Sequence, residues 1–149
     1  MSESPPTPED FGLRHPLRVR WNEVDMQGIV FFAQYYTYFD IAQAEYFRTL
    51  GFPYQDMCLT SEYELFTRKS ECEYFDSARF DDDLIIGARV ARMGRSSLTM
   101  RFAACRAEAL LARGEIVYVF AHPTRRESCP IPAALRDAIV AFEPLRPAQ

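Results

Sequence analysis

Residues 32–50 read FAQYYTYFDIAQAEYFRTL, and this stretch decides the fold. Its apolar side chains recur at spacings of three and four, which is the period of a helix with a broad buried face. They are Tyr35, Tyr38, Phe39, Ala42, Tyr46, Phe47 and Leu50. Gly51 is suited to end a helix, and Pro53 prevents its continuation. The pattern predicts one long helix over residues 32–50, buried over most of its circumference.

The residues before this helix alternate in polarity. Leu17, Val19 and Trp21 are separated by polar residues, which predicts a short strand with one buried face. Between strand and helix, residues 23–28 read EVDMQG. An Asp bonds nearby backbone amides and a Gly tolerates positive φ, so we expect the chain to turn here.

After the helix the apolar residues change to a period of two. Strands are predicted around residues 69–74, 84–90, 98–104 and 116–120, with a hairpin turn at 94–97 and a short C-terminal helix. Since strands and helices do not alternate, the four strands are expected to meander antiparallel. The predicted fold class is α+β, with a curved sheet around the long helix and a second subunit completing its cover.

Length and charge limit the possible functions. The chain has 149 residues, which suits a flexible tail over residues 1–12 and a single domain over residues 13–149. The net charge of -4 argues against nucleic-acid binding, which needs concentrated Lys and Arg. Neither a membrane-spanning stretch nor a secretory signal is evident, so we expect a cytoplasmic protein without membrane contact.

The cysteines and histidines offer little chemistry. Cys58, Cys72, Cys105 and Cys129 are scattered and form no CxxC pair, so free thiols are expected, with neither a metal site nor a disulfide. The two histidines are His15 and His122, and a structural or solvent-exposed role is expected for each. The motifs GxxxxGK[ST], GxGxxG, HExxH and GxSxG do not occur.

Asp25 is the carboxylate whose position favours chemistry. An Asp in a turn commonly caps nearby amides. Asp25, however, precedes a helix whose first amides lack intrahelical partners and carry the positive end of the helix dipole. Such amides can hold an oxyanion while a carboxylate acts on the carbon that bears it, which is the pairing needed for acyl transfer.

Residues 19–40, VRWNEVDMQGIVFFAQYYTYFD, resemble the signature of the 4-hydroxybenzoyl-CoA thioesterase family. This family includes the YbgC-like acyl-CoA thioesterases of the hotdog superfamily. Residues 73–82, EYFDSARFDD, and residues 94–98, GRSSL, also match, so the resemblance covers roughly residues 15–140.

The resemblance implies a hotdog fold, in which the sheet wraps the long helix. It also implies a homodimer or homotetramer whose subunits pair through their sheets, with active sites between subunits. The catalytic aspartate of the family falls on Asp25 and its turn glycine on Gly28. The backbone amide that polarises the thioester carbonyl is that of Phe32. Tyr35 matches the family's helix tyrosine, a packing or site-wall residue.

The sequence departs from the family pattern at Ala33, where many YbgC-like members have histidine. Histidine assistance from that position is therefore excluded, and residues 29–32, IVFF, look closer to the aryl-CoA branch. We expect Val30 and Phe31 to contact substrate together with Tyr35. The coenzyme A phosphates need a local basic patch. Arg92, Arg95 and Ser96 are the expected contacts, and Arg125 and Arg126 are also available.

The resulting hypothesis is a thioesterase that hydrolyses a small aryl- or acyl-CoA thioester, with Asp25 as nucleophile or general base. A separate cofactor is not expected, because coenzyme A is part of the substrate. A non-catalytic acyl-CoA binding or sensing protein is the alternative. Asp40 and Glu45 compete for the catalytic role, since another hotdog branch uses an acidic residue on the helix. A hotdog dehydratase lacks support, because no histidine and acid are placed for elimination.

Overall fold

The computed structural model describes residues 4–58 and 62–149, with the backbone alone at positions 57 and 58. Five antiparallel strands form one sheet in the order β1-β3-β4-β5-β2. The strands are β1 (Leu13–Arg18), β2 (Glu64–Tyr74), β3 (Asp83–Met93), β4 (Ser97–Arg106) and β5 (Ala109–Ala121). The helices are α1 (Gln34–Thr49), α2 (Tyr54–Cys58) and α3 (Ala133–Phe142). The predicted α+β class is confirmed.

The long predicted helix is α1, and it packs its apolar face against the sheet. The ring of Phe39 stacks on that of Phe102 in β4, with centroids 5.0 Å apart. Gly114 in β5 lies beneath the same ring, where a Cβ atom would overlap Phe39. A residue without a side chain therefore lets α1 lie close to the sheet.

The first strand lies earlier in the chain than the alternating pattern predicts. β1 ends at Arg18, and Trp21 begins a short 3-10 turn, Trp21–Glu23, instead of facing the core. The Trp21 side chain is 78% exposed, so its predicted burial is wrong. The Glu23 carboxylate accepts the N–H of Arg20 at 2.8 Å and closes the turn, and this local bond replaces further strand pairing.

The predicted meander holds for β3, β4 and β5 but is wrong for β2. β1 pairs with one side of β3, with Leu17 opposite Leu84, and β4 occupies the other side. β2 therefore crosses to the far side of the sheet and pairs with β5. This pairing makes β2 an edge strand of the single chain.

The described part of the N-terminal segment contacts the sheet. Phe11 is 4% exposed and packs with Ala103 and Cys105 on the face opposite α1. Mobility of residues 1–12 stays a prediction, and residues 1–3 lie outside the described residues. Cys72, Cys105 and Cys129 are free cysteines in the described part of the chain, while the side chain of Cys58 lies outside the description.

Across residues 4–58 and 62–149, no helix has the length and apolar character needed to cross a membrane.

Candidate active site

Asp25 lies in a small hairpin between β1 and α1. Its N–H donates to the carbonyl of Ile29 at 2.9 Å, and the N–H of Gly28 donates to the carbonyl of Asp25 at 2.9 Å. Val24 and Val30 form a bridge at the base of the hairpin. Gly28 has φ +76°, a conformation that disfavours other residues, so the predicted turn depends on this glycine.

The Asp25 carboxylate is partly exposed. Its Oδ1 accepts the N–H of Gln27 at 2.8 Å, which is the backbone cap expected of an Asp in a turn. Within the described residues no group donates to Oδ2. One oxygen thus orients the carboxylate while the other is free to act on a substrate.

Phe32 precedes α1, and its backbone N–H has no hydrogen-bond partner among the described residues. The carbonyl of the same peptide unit, that of Phe31, accepts the N–H of Gln34 at 2.8 Å. This bond polarises the peptide and makes the Phe32 N–H a better donor. Ala33 occupies the N-cap position of α1, and its side chain makes no hydrogen bond to the first amides of the helix. The positive end of the helix dipole therefore lies beside Phe32 without a side-chain acceptor and adds to the effect.

Two tethers hold the peptides on either side of that amide. The N–H of Phe31 donates to the carbonyl of Glu23 at 3.0 Å. On the other side, the Tyr74 hydroxyl of β2 donates to the carbonyl of Phe32 at 2.8 Å. The free N–H is therefore fixed in position, as a preorganised oxyanion donor must be.

Sequence reasoning missed Glu23 and Tyr74. Glu23 is 5% exposed, and its carboxylate accepts hydrogen bonds from Arg20, Gln34 and Tyr38. An acidic residue two positions before Asp25 reads as part of a polar turn, so the sequence carries no clear signal of its burial. Tyr74 reads as one more alternating residue of a strand.

Val30, Phe31 and Tyr35 were predicted to contact the acyl group, and together with the side chain of Phe32 they divide into a buried and an exposed set. Val30 and Tyr35 are buried, at 3% and 2% exposure. The Tyr35 hydroxyl accepts the N–H of Ala78 at 3.3 Å, and burial raises the pKa of Tyr35 and keeps it protonated. Phe31 and Phe32 are 48% and 62% exposed, with ring centroids 4.8 Å apart. Of these four side chains, the two phenylalanines are the ones open to a ligand.

The predicted coenzyme A contacts lie at the opposite end of the sheet. The Asp25 hairpin is bonded to the segment just before β3, where Val30 donates to the carbonyl of Ala78. Arg92 is near the other end of β3, and Arg95 and Ser96 follow it in the turn. At about 3.3 Å per residue the two ends are roughly 30 Å apart. One chain therefore does not bring these residues to Asp25.

The turn that carries Arg95 and Ser96 is held by the backbone. The carbonyls of Ser96 and Arg95 accept the N–H groups of Phe120 and Ile131, at 2.7 and 2.9 Å. Arg92 and Arg95 are exposed and form no ion pair with any described acidic residue. Their charges are available to an anionic ligand.

The competing carboxylates on α1 have a different setting. Glu45 pairs with Arg48 one turn along the helix, and Asp40 is exposed. Neither takes part in the hydrogen bonds that hold the Asp25 hairpin. His122 has a structural role, because its Nδ1 accepts the N–H groups of Thr124 and Arg125 at 3.2 and 3.1 Å.

One long helix on a five-stranded antiparallel sheet, with a carboxylate turn at the helix start, defines a protein of the hotdog fold, as predicted. A family model described as the thioesterase superfamily matches residues 27–113. The chain belongs to this superfamily and is a thioester hydrolase. The matched range begins two residues after Asp25, so the proposed role of Asp25 depends on the geometry of the turn.

Individual relatives agree with this assignment. The acyl-CoA thioester hydrolase YbgC of Escherichia coli is 31% identical over 129 residues, which cover 86% of this chain and 92% of that protein. A solved structure from Pseudomonas aeruginosa is 31% identical, with a TM-score of 0.82, and covers 97% of this chain and 99% of its own. A thioesterase from Thermus thermophilus, complexed with coenzyme A and Zn, is 26% identical with a TM-score of 0.78, and covers 91% and 97%.

Proposed function

We propose that this chain hydrolyses a small aryl- or acyl-CoA thioester to the free acid and coenzyme A. The observation that carries the proposal is the tethered, unpartnered N–H of Phe32 close in the chain to a partly exposed carboxylate, that of Asp25. The Escherichia coli relative is named an acyl-CoA thioester hydrolase, and the Thermus structure holds coenzyme A, which supports this substrate class.

The thioester carbonyl accepts the N–H of Phe32, which stabilises the negative charge that develops on its oxygen. A preorganised donor of this kind lowers the barrier by about 3 kcal/mol. Asp25 then acts on the carbonyl carbon by one of two routes. Its carboxylate attacks, expels the coenzyme A thiolate and forms a mixed anhydride that water hydrolyses. In the other route it takes a proton from the water that attacks. Both routes need only water as co-reactant, without a metal or separate cofactor.

We further propose a homodimer or homotetramer with active sites between subunits. β2 is an edge strand of eleven residues, and an unpaired edge favours strand pairing with another chain. Large apolar side chains are exposed around the candidate site, which is typical of an interface. They are Trp21, Met26, Phe31, Phe32, Phe75 and Phe80.

The proposed antiparallel pairing of two β2 strands also brings the predicted site residues of two subunits together. A two-fold axis at that edge reverses the strand direction of the second sheet. The Arg92 end of one subunit then lies beside the Asp25 end of the other. Arg92, Arg95 and Ser96 of one chain then face the coenzyme A bound at the other chain's Asp25. The proposed partners are thus a small acyl-CoA and a second copy of the chain, without nucleic acid or membrane. The cytoplasmic location stays a prediction.

A panel of benzoyl-CoA and short- and long-chain acyl-CoA substrates, followed by release of free thiol, tests the activity. We expect release from at least one member, with the small or aromatic acyl groups hydrolysed fastest. Binding of acyl-CoA without thiol release would instead establish the non-catalytic binding protein.

Variants of the competing carboxylates test which one acts. Asp25→Asn is expected to lower kcat/KM roughly a hundredfold or more, because the residue acts in the transition state. Glu45→Gln is the matched control, since it removes a carboxylate of α1 that pairs with Arg48. Its activity is expected to stay near wild type. The reverse result, with Glu45→Gln inactive and Asp25→Asn active, would overturn the assignment.

A further inference from the structure

The carboxylate of Glu23 is bonded at both oxygens. Oε1 accepts the backbone N–H of Arg20 at 2.8 Å and the hydroxyl of Tyr38 at 3.0 Å. Oε2 accepts Nε of Arg20 at 3.1 Å and Nε2 of Gln34 at 3.3 Å. A carboxylate that is only 5% exposed is costly unless it is paired in this way. The two bonds from Arg20 close the local turn, and the two bonds from Gln34 and Tyr38 fix the carboxylate relative to α1.

The backbone carbonyl of Glu23 also contacts the segment just before α1. It accepts the N–H of Phe31, the residue directly before the free amide of Phe32. Asp25 follows Glu23 by two residues in the same hairpin. Glu23 is thus bonded both to the start of α1 and to the hairpin that carries the carboxylate.

We propose that Glu23 is a positioning residue, which holds the carboxylate of Asp25 and the N–H of Phe32 in register with each other. The inference rests on the proposed function, because the register matters only if both groups act on one carbonyl. A displacement of about 1 Å between reacting groups costs up to a hundredfold in rate. Loss of the Glu23 charge is therefore expected to lower kcat, while KM changes little, since Glu23 is buried and its oxygens are bonded within the chain.

A purely structural role for Glu23 makes a different prediction. In that case its removal lowers thermal stability without affecting kcat at temperatures where the variant is folded. Glu143 is the matched control, because it is also buried, at 8% exposure, and also accepts a tyrosine hydroxyl of α1, that of Tyr46 at 2.5 Å. It lies at the other end of α1, away from the Asp25 hairpin.

The test compares Glu23→Gln and Glu143→Gln in the full chain, with kcat, KM and Tm measured on the acyl-CoA that the wild type hydrolyses fastest. In Glu23→Gln the new amide group donates toward Arg20 and Gln34, where an acceptor is needed. We expect kcat to fall roughly 10- to 30-fold and KM to stay within about threefold. Glu143→Gln is expected to change Tm and to keep kcat within about twofold.

Gln34→Met is the second variant, because it removes only the bond between Glu23 and the first residue of α1. It is expected to fold and to lower kcat about three- to tenfold. If Glu23→Gln does not fold, the kcat of Gln34→Met tests the positioning role of Glu23. Unchanged kcat in Gln34→Met and in folded Glu23→Gln, or equal losses in Glu23→Gln and Glu143→Gln, would overturn the positioning role. If the wild type releases no thiol from any acyl-CoA, the proposed function itself fails, and that result is distinguishable from these.

Discussion

Each end of α1 has a buried pair made of one tyrosine and one glutamate, but the surroundings of the two pairs differ. At each end a tyrosine of the helix donates to a buried glutamate, Tyr38 to Glu23 at the start and Tyr46 to Glu143 at the end. Both oxygens of Glu23 are bonded. At Glu143, Oε1 accepts Tyr46 and the N–H of Val90, while Oε2 is buried without a partner in the described part of the chain.

Within the described residues, the backbone at the two ends differs in the opposite sense: it is fully bonded at the end where the glutamate has an unpartnered oxygen, and it has a free N–H at the end where the glutamate is fully bonded. At the C-terminal end, Gly51 has φ +83° and donates to the carbonyl of Arg48, and Phe52 donates to the carbonyl of Phe47. These two bonds form a Schellman motif that satisfies the last carbonyls of the helix. At the start, the N–H of Phe32 is left free while its neighbours are tethered. We call the C-terminal end of α1 the sealed end, because the Schellman motif satisfies its last carbonyls and stabilises the fold. The start of α1 is the open end, because the N–H of Phe32 remains available as a donor for chemistry.

Among changes at the two ends of α1, the largest expected effect follows from removing the free N–H of Phe32. Phe32→Pro deletes the N–H and is expected to lower kcat roughly a hundredfold, as the loss of an oxyanion donor does. Phe32→Ala retains the N–H and serves as the control, with kcat within about tenfold of wild type. Steady-state thiol release, with circular dichroism to verify folding, checks both. Equal losses in the two variants would show that the side chain matters and the amide does not.

Removing the tyrosine at the sealed end is expected to affect stability alone. Tyr46→Phe leaves Glu143 buried with one donor fewer, which costs about 1–3 kcal/mol of unfolding free energy. Because Tyr46 is distant from the Asp25 hairpin along α1, kcat is expected to stay within about twofold. Urea unfolding and thiol release measure the two quantities. A variant with full stability and reduced kcat would remove the distinction between the ends.

The sealed end also predicts a pH dependence of stability. Burial raises the pKa of Glu143, and the bonds from Tyr46 and Val90 and the charge of Arg89 only partly oppose this. The unfolded chain therefore loses this proton first as the pH rises above about 4.5, its ordinary value. The contribution of Glu143 to stability is largest below that pH and falls as the pH rises through the folded pKa, by up to about 1.4 kcal/mol per pH unit.

Glu143→Gln removes this titration and isolates it. The unfolding free energy of wild type minus that of Glu143→Gln is expected to decrease between pH 4.5 and neutral pH. Urea unfolding at several pH values gives this difference, in which the contributions of the other groups cancel. A difference that stays constant across the window would contradict the raised pKa.

The smallest expected effect concerns the two turn glycines. Gly28 and Gly51 both have positive φ, and a Cβ atom at either would meet open space. Each change to Ala is therefore expected to cost about 1 kcal/mol through backbone conformation alone. Only Gly28→Ala is expected also to lower kcat, because Gly28 shapes the hairpin that presents Asp25. Equal activity of the two variants would show that this hairpin tolerates distortion.

The periodic parts of the fold could be predicted from the sequence. The spacing of Tyr35, Tyr38 and Phe39 specifies the buried face of α1, because local geometry sets the period of a helix. The turn at Asp25 and Gly28 was also predictable, because an Asp that bonds nearby amides and a Gly with positive φ are local features. The pairing of β2 with β5 was not, because it depends on which sheet edge β1 leaves free.

The groups around the free amide lay beyond local patterns. Glu23 is buried because Arg20, Gln34 and Tyr38 converge on it, and Tyr74 reaches Phe32 across 42 residues of sequence. Such contacts exist only once the tertiary structure has formed. Glu and Tyr are common in exposed turns and strands, so the polarity pattern of the sequence does not identify Glu23 or Tyr74 as site residues.

The central claim is that the Asp25 carboxylate acts on a carbonyl held by the N–H of Phe32. A single-turnover experiment with enzyme in excess tests it most directly, with acyl-CoA binding and thiol release followed in the same samples of wild type and Asp25→Asn. We predict binding within about threefold of wild type and a rate constant for thiol release lower by roughly a hundredfold or more. Thiol release by Asp25→Asn at close to the wild-type rate would contradict the claim.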